Sequence, residues 1–159
     1  MVEPDREENV VSVVTETIEV DAPVRAVYNQ WTQFEDFPQF MEGVDSIVQQ
    51  ADDRTHWKIN IGGVEREFDA MIIEQVPDER VAWASVSGPR HAGLITFEPQ
   101  SADRTSVTAR INMEPEGITE KVGDALGLIT RRVRGDLERF KEFLEARGSE
   151  SGGWRGKIS

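Results

Sequence analysis

Residues 122–144 read VGDALGLITRRVRGDLERFKEFL, and one apolar stripe runs their whole length: Val122, Leu126, Ile129, Val133, Leu137, Phe140 and Leu144. The steps are four, three, four, four, three and four residues, a spacing that keeps all of them on one helix face. With its flanks the helix covers 118–146, about 40 Å at 1.5 Å per residue. A stripe that long must be buried against a partner surface of similar length.

The rest of the chain supplies that surface. Strand-like segments lie at 44–50, 54–61, 64–76, 80–87, 91–98 and 104–114. Asp52-Asp53, Gly62-Gly63, Pro77-Asp78, Gly88-Pro89 and Ala102-Asp103 separate them. These links are too short for parallel crossovers, so the strands form an antiparallel meander. A further strand, VVSVVTETIEV, occupies 10–20. Asp21-Ala22-Pro23 then predicts a helix start, with Asp21 as N-cap and Pro23 in the first turn. Val24, Val27, Tyr28 and Trp31 make its apolar face, and a second short helical piece carries Phe34, Phe37, Phe40 and Met41 around Pro38. The fold class is α+β: a seven-stranded curved antiparallel sheet around a long C-terminal helix, with two short helices between strands 1 and 2.

One domain spans 10–147, preceded by a flexible, polar N-terminus (1–9) and followed by a Gly/Ser-rich tail (148–159). Trp154 is the tail's lone large aromatic. Either the tail is free, or it docks, with the indole on this chain or a neighbour and Arg155 on acidic surface.

Composition narrows the function. Of 159 residues 38% are hydrophobic, about 60 side chains, enough for a core without staples. There is no cysteine, and His56 and His91 are the only histidines, so thiolate chemistry and a three-histidine zinc site are excluded. No metal and no cofactor is expected. Thirty acidic against eighteen basic residues leave a net charge of −12, which disfavours nucleic acid and anionic membranes. No apolar run reaches the roughly 18 residues of a membrane span, and the acidic start is unlike a signal peptide. The expectation is a soluble, cytoplasmic monomer or homodimer with no stable membrane insertion.

The Gly62-Gly63 turn sets the strand register. It pairs Ile61 with Val64, Ile59 with Arg66 and Trp57 with Phe68 on one face, and Asn60 with Glu65, Lys58 with Glu67 and His56 with Asp69 on the other. The first face is apolar apart from Arg66 and the second is charge-complementary, so they are inner and outer. Continuing across the sheet puts Val81, Trp83 and Ser85, then Phe97, Ile95, Gly93 and His91, then Val107, Ala109, Ile111 and Met113 inside. An arginine on the inner face suggests a wet or ligand-filled space. Arg66 otherwise reaches solvent at the sheet edge or pairs with a carboxylate such as Glu16. Trp57, Phe68, Trp83 and Phe97 serve as plain core, as ligand contacts, or both. His91 sits at a mouth or in solvent, or has a chemical role.

Four segments carry a resemblance. TETIEVDAPVRAVYNQWTQFEDFPQFM, VPDERVAWASVSGP, HAGLITFEP and DLERFKEFLEAR are similar to the polyketide cyclase/dehydrase family, within the START-like (SRPBCC) superfamily and its helix-grip fold. The resemblance covers about 10–147 and implies a deep apolar cavity for a lipid, quinone or polyketide. Some relatives are aromatase/cyclases; others resemble coenzyme Q-binding proteins and only carry a ligand.

Two functions follow. In the first, the chain binds a hydrophobic small molecule, lined by Trp57, Ile59, Arg66, Phe68, Trp83, Ser85, Ile95, Phe97, Ala109, Ile111, Leu126 and Ile129. In the second it is a cyclase/dehydratase, with Arg66 polarising a carbonyl and His91 or Ser85 moving protons. A regulator that binds a protein or the ribosome, known among relatives, is the minor alternative.

Overall fold

The computed structural model describes residues 12–61, 63–87, 90–113 and 122–158. Positions 1–11, 62, 88–89, 114–121 and 159 lie outside the described residues. They include the expected N-terminal segment, the start of the first strand, part of two turns and the first residues of the long helix.

The order is β1 (Ser12–Val20), α1 (Val24–Trp31), a 3₁₀ helix (Phe34–Gln39), β2 (Val44–Ala51), β3 (Arg54–Ile61), β4 (Val64–Val76), β5 (Arg80–Ser85), β6 (His91–Ser101), β7 (Arg104–Met113) and α2 (Val122–Arg147). The seven strands form one antiparallel sheet in the order β1-β7-β6-β5-β4-β3-β2. β5 stops at Ser85, two residues short of the expected end. The β3–β4 register is the one the two-glycine turn predicts, from Ile61 opposite Val64 to His56 opposite Asp69. On the outer face His56 is hydrogen-bonded to Asp69 (2.6 Å) and Glu67 (2.9 Å), and both carboxylates hold its pKa above the ordinary value.

Asp21 does not cap α1. The helix follows Pro23, whose extended backbone (ψ 151°) occupies the N-cap position without a side-chain cap. Asp21 instead donates its backbone N–H to Glu145 Oε2 (2.8 Å), tying the β1–α1 link to the end of α2. A second tie, Arg134 to Glu16 (3.2 Å), holds α2 along β1. Glu16 is therefore engaged by the helix. These ties orient α2: its C-terminal half lies toward Asp21 and its N-terminal half beyond Glu16.

The core forms where the stripe of α2 meets the short helices and the sheet. Leu137, Phe140 and Leu144 are buried. Trp31 packs against Phe140 (ring centroids 4.8 Å apart) and Phe37 (5.3 Å), and Phe40 against Phe140 (5.3 Å). Such edge and tilted contacts add about 0.5–1.5 kcal/mol each beyond buried area. Farther toward the N-terminus of α2, Val133 and Ile129 are half-buried. The side chains of Val122 and Leu126 fall outside the described residues.

A loop is clamped to α2 by polar groups. Arg139 donates to the Phe40 carbonyl (2.9 Å), Arg132 to the Glu42 carbonyl (3.0 Å), and Asp136 Oδ1 accepts from the Glu42 backbone N–H (3.1 Å) and from Arg139 (2.6 Å). Burial raises the Asp136 pKa to about 6, against the opposing effect of those hydrogen bonds.

The tail docks on its own chain. Gly148, at φ +79°, closes α2 in the left-handed region. The Trp154 backbone N–H donates to Thr32 Oγ1 (3.0 Å), and Arg155 reaches Asn29 Oδ1 (2.7 Å) and Asp78 (2.8 Å). Ile158 exchanges both backbone hydrogen bonds with Gln75 (2.7 and 2.9 Å). Trp154 is half-buried.

Candidate functional site

Burial along the inner face falls in the same direction on three neighbouring strands. On β5 it goes from buried Val81 to half-buried Trp83 and Ser85; on β6 from buried Phe97, Ile95 and Gly93 to half-buried His91; on β7 from buried Val107 and Ala109 to half-buried Ile111. The pairs Val81–Ile95–Ala109 and Trp83–Gly93–Ile111 set these residues in rows, with His91 one row farther out. Among the described residues, burial is thus complete beside Leu137, Phe140 and Leu144 of α2 and incomplete at the level of Ile129 and Val133.

His91 organises the open end. Phe68 (4.9 Å), Trp83 (6.0 Å) and Trp57 (6.2 Å) each meet its ring edge to face. Trp57 stacks on Phe68 at 5.5 Å and donates its indole N–H to Thr55 Oγ1 (2.8 Å). The His91 backbone N–H donates to Ser85 Oγ (2.9 Å). Trp83 Nε1–H donates to His91 Nε2 (3.0 Å). An indole N–H can only donate, so Nε2 must be the acceptor, and the neutral ring carries its proton on Nδ1. Burial lowers the His91 pKa to about 4, which keeps the ring neutral near pH 7.

Gly93 makes this possible. A Cβ there would lie 2.4 Å from two atoms of the Trp83 indole. The glycine lets the indole lie flat across β6, with its N–H toward His91.

The expected site residues separate. Trp57, Ile59, Phe68, Ile95, Phe97 and Ala109 are buried on the inner face, while Trp83, Ser85, His91, Ile111 and Ile129 are half-buried. Arg66 sits opposite Ile59 but is exposed toward the hairpin turn, so an arginine in the core is no longer a reason to expect a cavity. The void bounded by Trp31, Phe34, Phe37, Thr55, Trp57, Ile72 and Trp83 is about 10 Å³. That is room for one water, where a ligand needs several hundred Å³. Six large side chains fill this part of the core, between the short helices and the sheet. A wider depression of about 460 Å³, open to solvent, lies between the β2–β3 turn and the tail, lined by Ala51, Asp52, Asp53, Trp154, Gly156, Lys157 and Ile158. None of the predicted site residues lines it.

Sequence reasoning missed Thr55 and the role of Gly93. A glycine directly across from a tryptophan was the available signal. Among the described residues no group of three acidic or histidine side chains could hold a metal, and no helix is long and apolar enough to cross a membrane.

The comparisons agree with this architecture. A 17.2 kDa protein from Streptomyces lincolnensis, described as uncharacterized and encoded in the melC2-rnhH intergenic region, is 54% identical over 149 residues, covering 93% of this chain and 99% of its own. The Zhui aromatase/cyclase from Streptomyces sp. R1128 superposes with a TM-score of 0.72 at 14% identity, covering 91% of this chain and 99% of that one. A START superfamily protein from Mycobacterium smegmatis gives 0.64 at 17% identity, covering 80% and 97%. These two likenesses concern the fold. The family model for polyketide cyclase/dehydrase and lipid transport matches residues 20–142, most of the domain. The chain is a member of the polyketide cyclase/dehydrase and lipid transport family.

Proposed function

We propose that the protein binds a flat, hydrophobic small molecule at the open end of the inner face, between β5–β7 and the N-terminal half of α2. The observation that carries this reading is the half-buried set of Trp83, Ser85, His91, Ile111 and Ile129 beside the buried pair Trp57 and Phe68. Partly exposed aromatics beside a few fixed polar groups make the usual lining of a small-molecule site. The sealed end is too full to hold a ligand, so Ile95, Phe97 and Ala109 support the site from beneath, and Arg66 is outside it. The ligand class is that of the family: a lipid, quinone or polyketide.

A second reading, catalysis of cyclisation or dehydration, is favoured by two polar side chains, Ser85 and His91, standing half-buried beside the aromatic faces, although the hydrogen bond between these residues starts from the His91 backbone and not from its ring. It draws on the aromatase/cyclase likeness as well. Native mass spectrometry of the purified protein, with tryptophan emission followed on adding the extracted ligand, tests binding. A co-purified apolar molecule that alters the emission is expected. A bare protein mass, with emission indifferent to lipids, quinones and polyketides, would sink the reading.

A further inference from the structure

We infer that His91 is a fixed hydrogen-bond donor, through Nδ1–H, to a carbonyl oxygen on the bound molecule, and that Trp83 is the positioning residue that sets this tautomer. The inference rests on the binding reading above and adds to it the ligand's functional group.

Three observations lead to it. The lone pair of Nε2 is used by the Trp83 indole, so the ring has no free basic nitrogen with which to take a proton. No hydrogen bond from Nδ1 occurs among the described residues, and His91 is not fully buried, which leaves that N–H as the ring's available donor. The ring's neighbours are Phe68, Trp57 and Trp83, and among the described residues no carboxylate is hydrogen-bonded to it. Nothing on these contacts compensates a charge, and an anionic ligand would lose its hydration there without gaining a counter-charge. A neutral acceptor is the chemistry that fits.

This gives His91 a different role from the proton shuttle considered above. A neutral imidazole N–H can polarise a carbonyl and steady the oxygen of an enol without itself changing protonation. If cyclisation occurs here, His91 holds the oxygen and a different group moves the proton.

The test uses two rigid probes of one skeleton, 9-fluorenone with a carbonyl and fluorene with a methylene in its place, measured by equilibrium dialysis. The full-length protein should bind fluorenone about tenfold tighter, as a neutral buried hydrogen bond allows. In His91→Phe the ratio should fall to about one, whatever the affinity for fluorene itself becomes. In Trp83→Phe it should fall part of the way, because the tautomer is no longer fixed. Nitrogen NMR of the ligand-free wild type should find the proton on Nδ1, a readout that needs no variant to fold. Equal binding of the two probes, an unchanged ratio in His91→Phe, or a proton on Nε2 would each overturn the inference while leaving the binding reading intact. If neither probe nor any apolar molecule binds, the binding reading falls and takes this one with it.

Discussion

The two ends of the inner face are built from the same strands and the same helix, yet they differ in what covers them. At the sealed end Leu137, Phe140 and Leu144 meet Trp31, Phe37 and Phe40, all nearly inaccessible. At the open end Ile129 and Val133 are half-buried, and the sheet beneath offers Trp83, Ser85 and His91. One helix stripe thus serves two purposes. Where packing is complete it supplies stability, and where packing is incomplete it leaves polar groups and aromatic faces for something else.

Substitutions should separate the ends. Phe140→Ala is expected to cost about 3–5 kcal/mol in denaturant unfolding, as for a fully packed aromatic. Ile129→Ala, on the same stripe, should cost less than about 1.5 kcal/mol because part of its surface is already in water. Equal losses would erase the distinction.

The two ends also titrate in opposite senses. Asp136, mostly buried beside Leu137, ionises in the unfolded chain near 3.8 and in the folded one at about 6. Its contribution is complete at low pH and is lost as pH rises through that window, by about 3 kcal/mol. His91 takes up its proton near 6.5 unfolded and at about 4 folded. Here stability is lost as pH falls from 6.5 towards 4, by a similar amount of about 3 kcal/mol. Relative to wild type, Asp136→Asn should therefore gain stability as pH rises from 4 to 6. It keeps the oxygen that accepts from Glu42 and Arg139. His91→Phe should move the other way, gaining relative stability as pH falls from 6.5 to 4. Parallel profiles for wild type and either variant would remove that group's contribution.

Two smaller effects sharpen the picture. Gly93→Ala should cost about 1–3 kcal/mol, because the indole of Trp83 must move. It should also change tryptophan emission. Arg66→Ala, exposed near the hairpin turn, should shift stability by less than about 0.5 kcal/mol and leave ligand affinity unchanged. A large loss of affinity would return Arg66 to the site.

Much of this organisation is legible in the chain because it follows from periodicity. The stripe of α2 and the Gly62-Gly63 turn each fix a parity, and parity alone puts Trp57 and Phe68 inside. Local irregularities are not legible. A register shift between Ile72 and Glu74 leaves Ile73 exposed and turns Gln75 inward, where it is 1% exposed. No pattern in the sequence announces that bulge. Arg66 has inner parity, but parity does not show that this part of the hairpin is uncovered. The tail was ambiguous for a different reason: glycines read as flexibility, whereas here they permit contact. A Cβ at Gly152 would stand 2.8 Å from Gln33, and one at Gly153 would stand 2.7 Å from Asn29.

The pairing of β1 with β7 has a consequence for how the chain reaches this state. Partners in that ladder run from Val20 with Thr105 to Ser12 with Met113, 85 to 101 positions apart. Every other ladder in the sheet joins neighbours in sequence and can form as a local hairpin. Closing a loop that long costs conformational entropy before any contact offsets it, which slows the search. During synthesis β1 is made first, yet it waits for β7, the last strand, while α2, which packs along it, is made later still. For that interval its β-branched residues, Val13 to Val20, are an unpaired edge, so the step most exposed to aggregation is the wait of the first strand for the last.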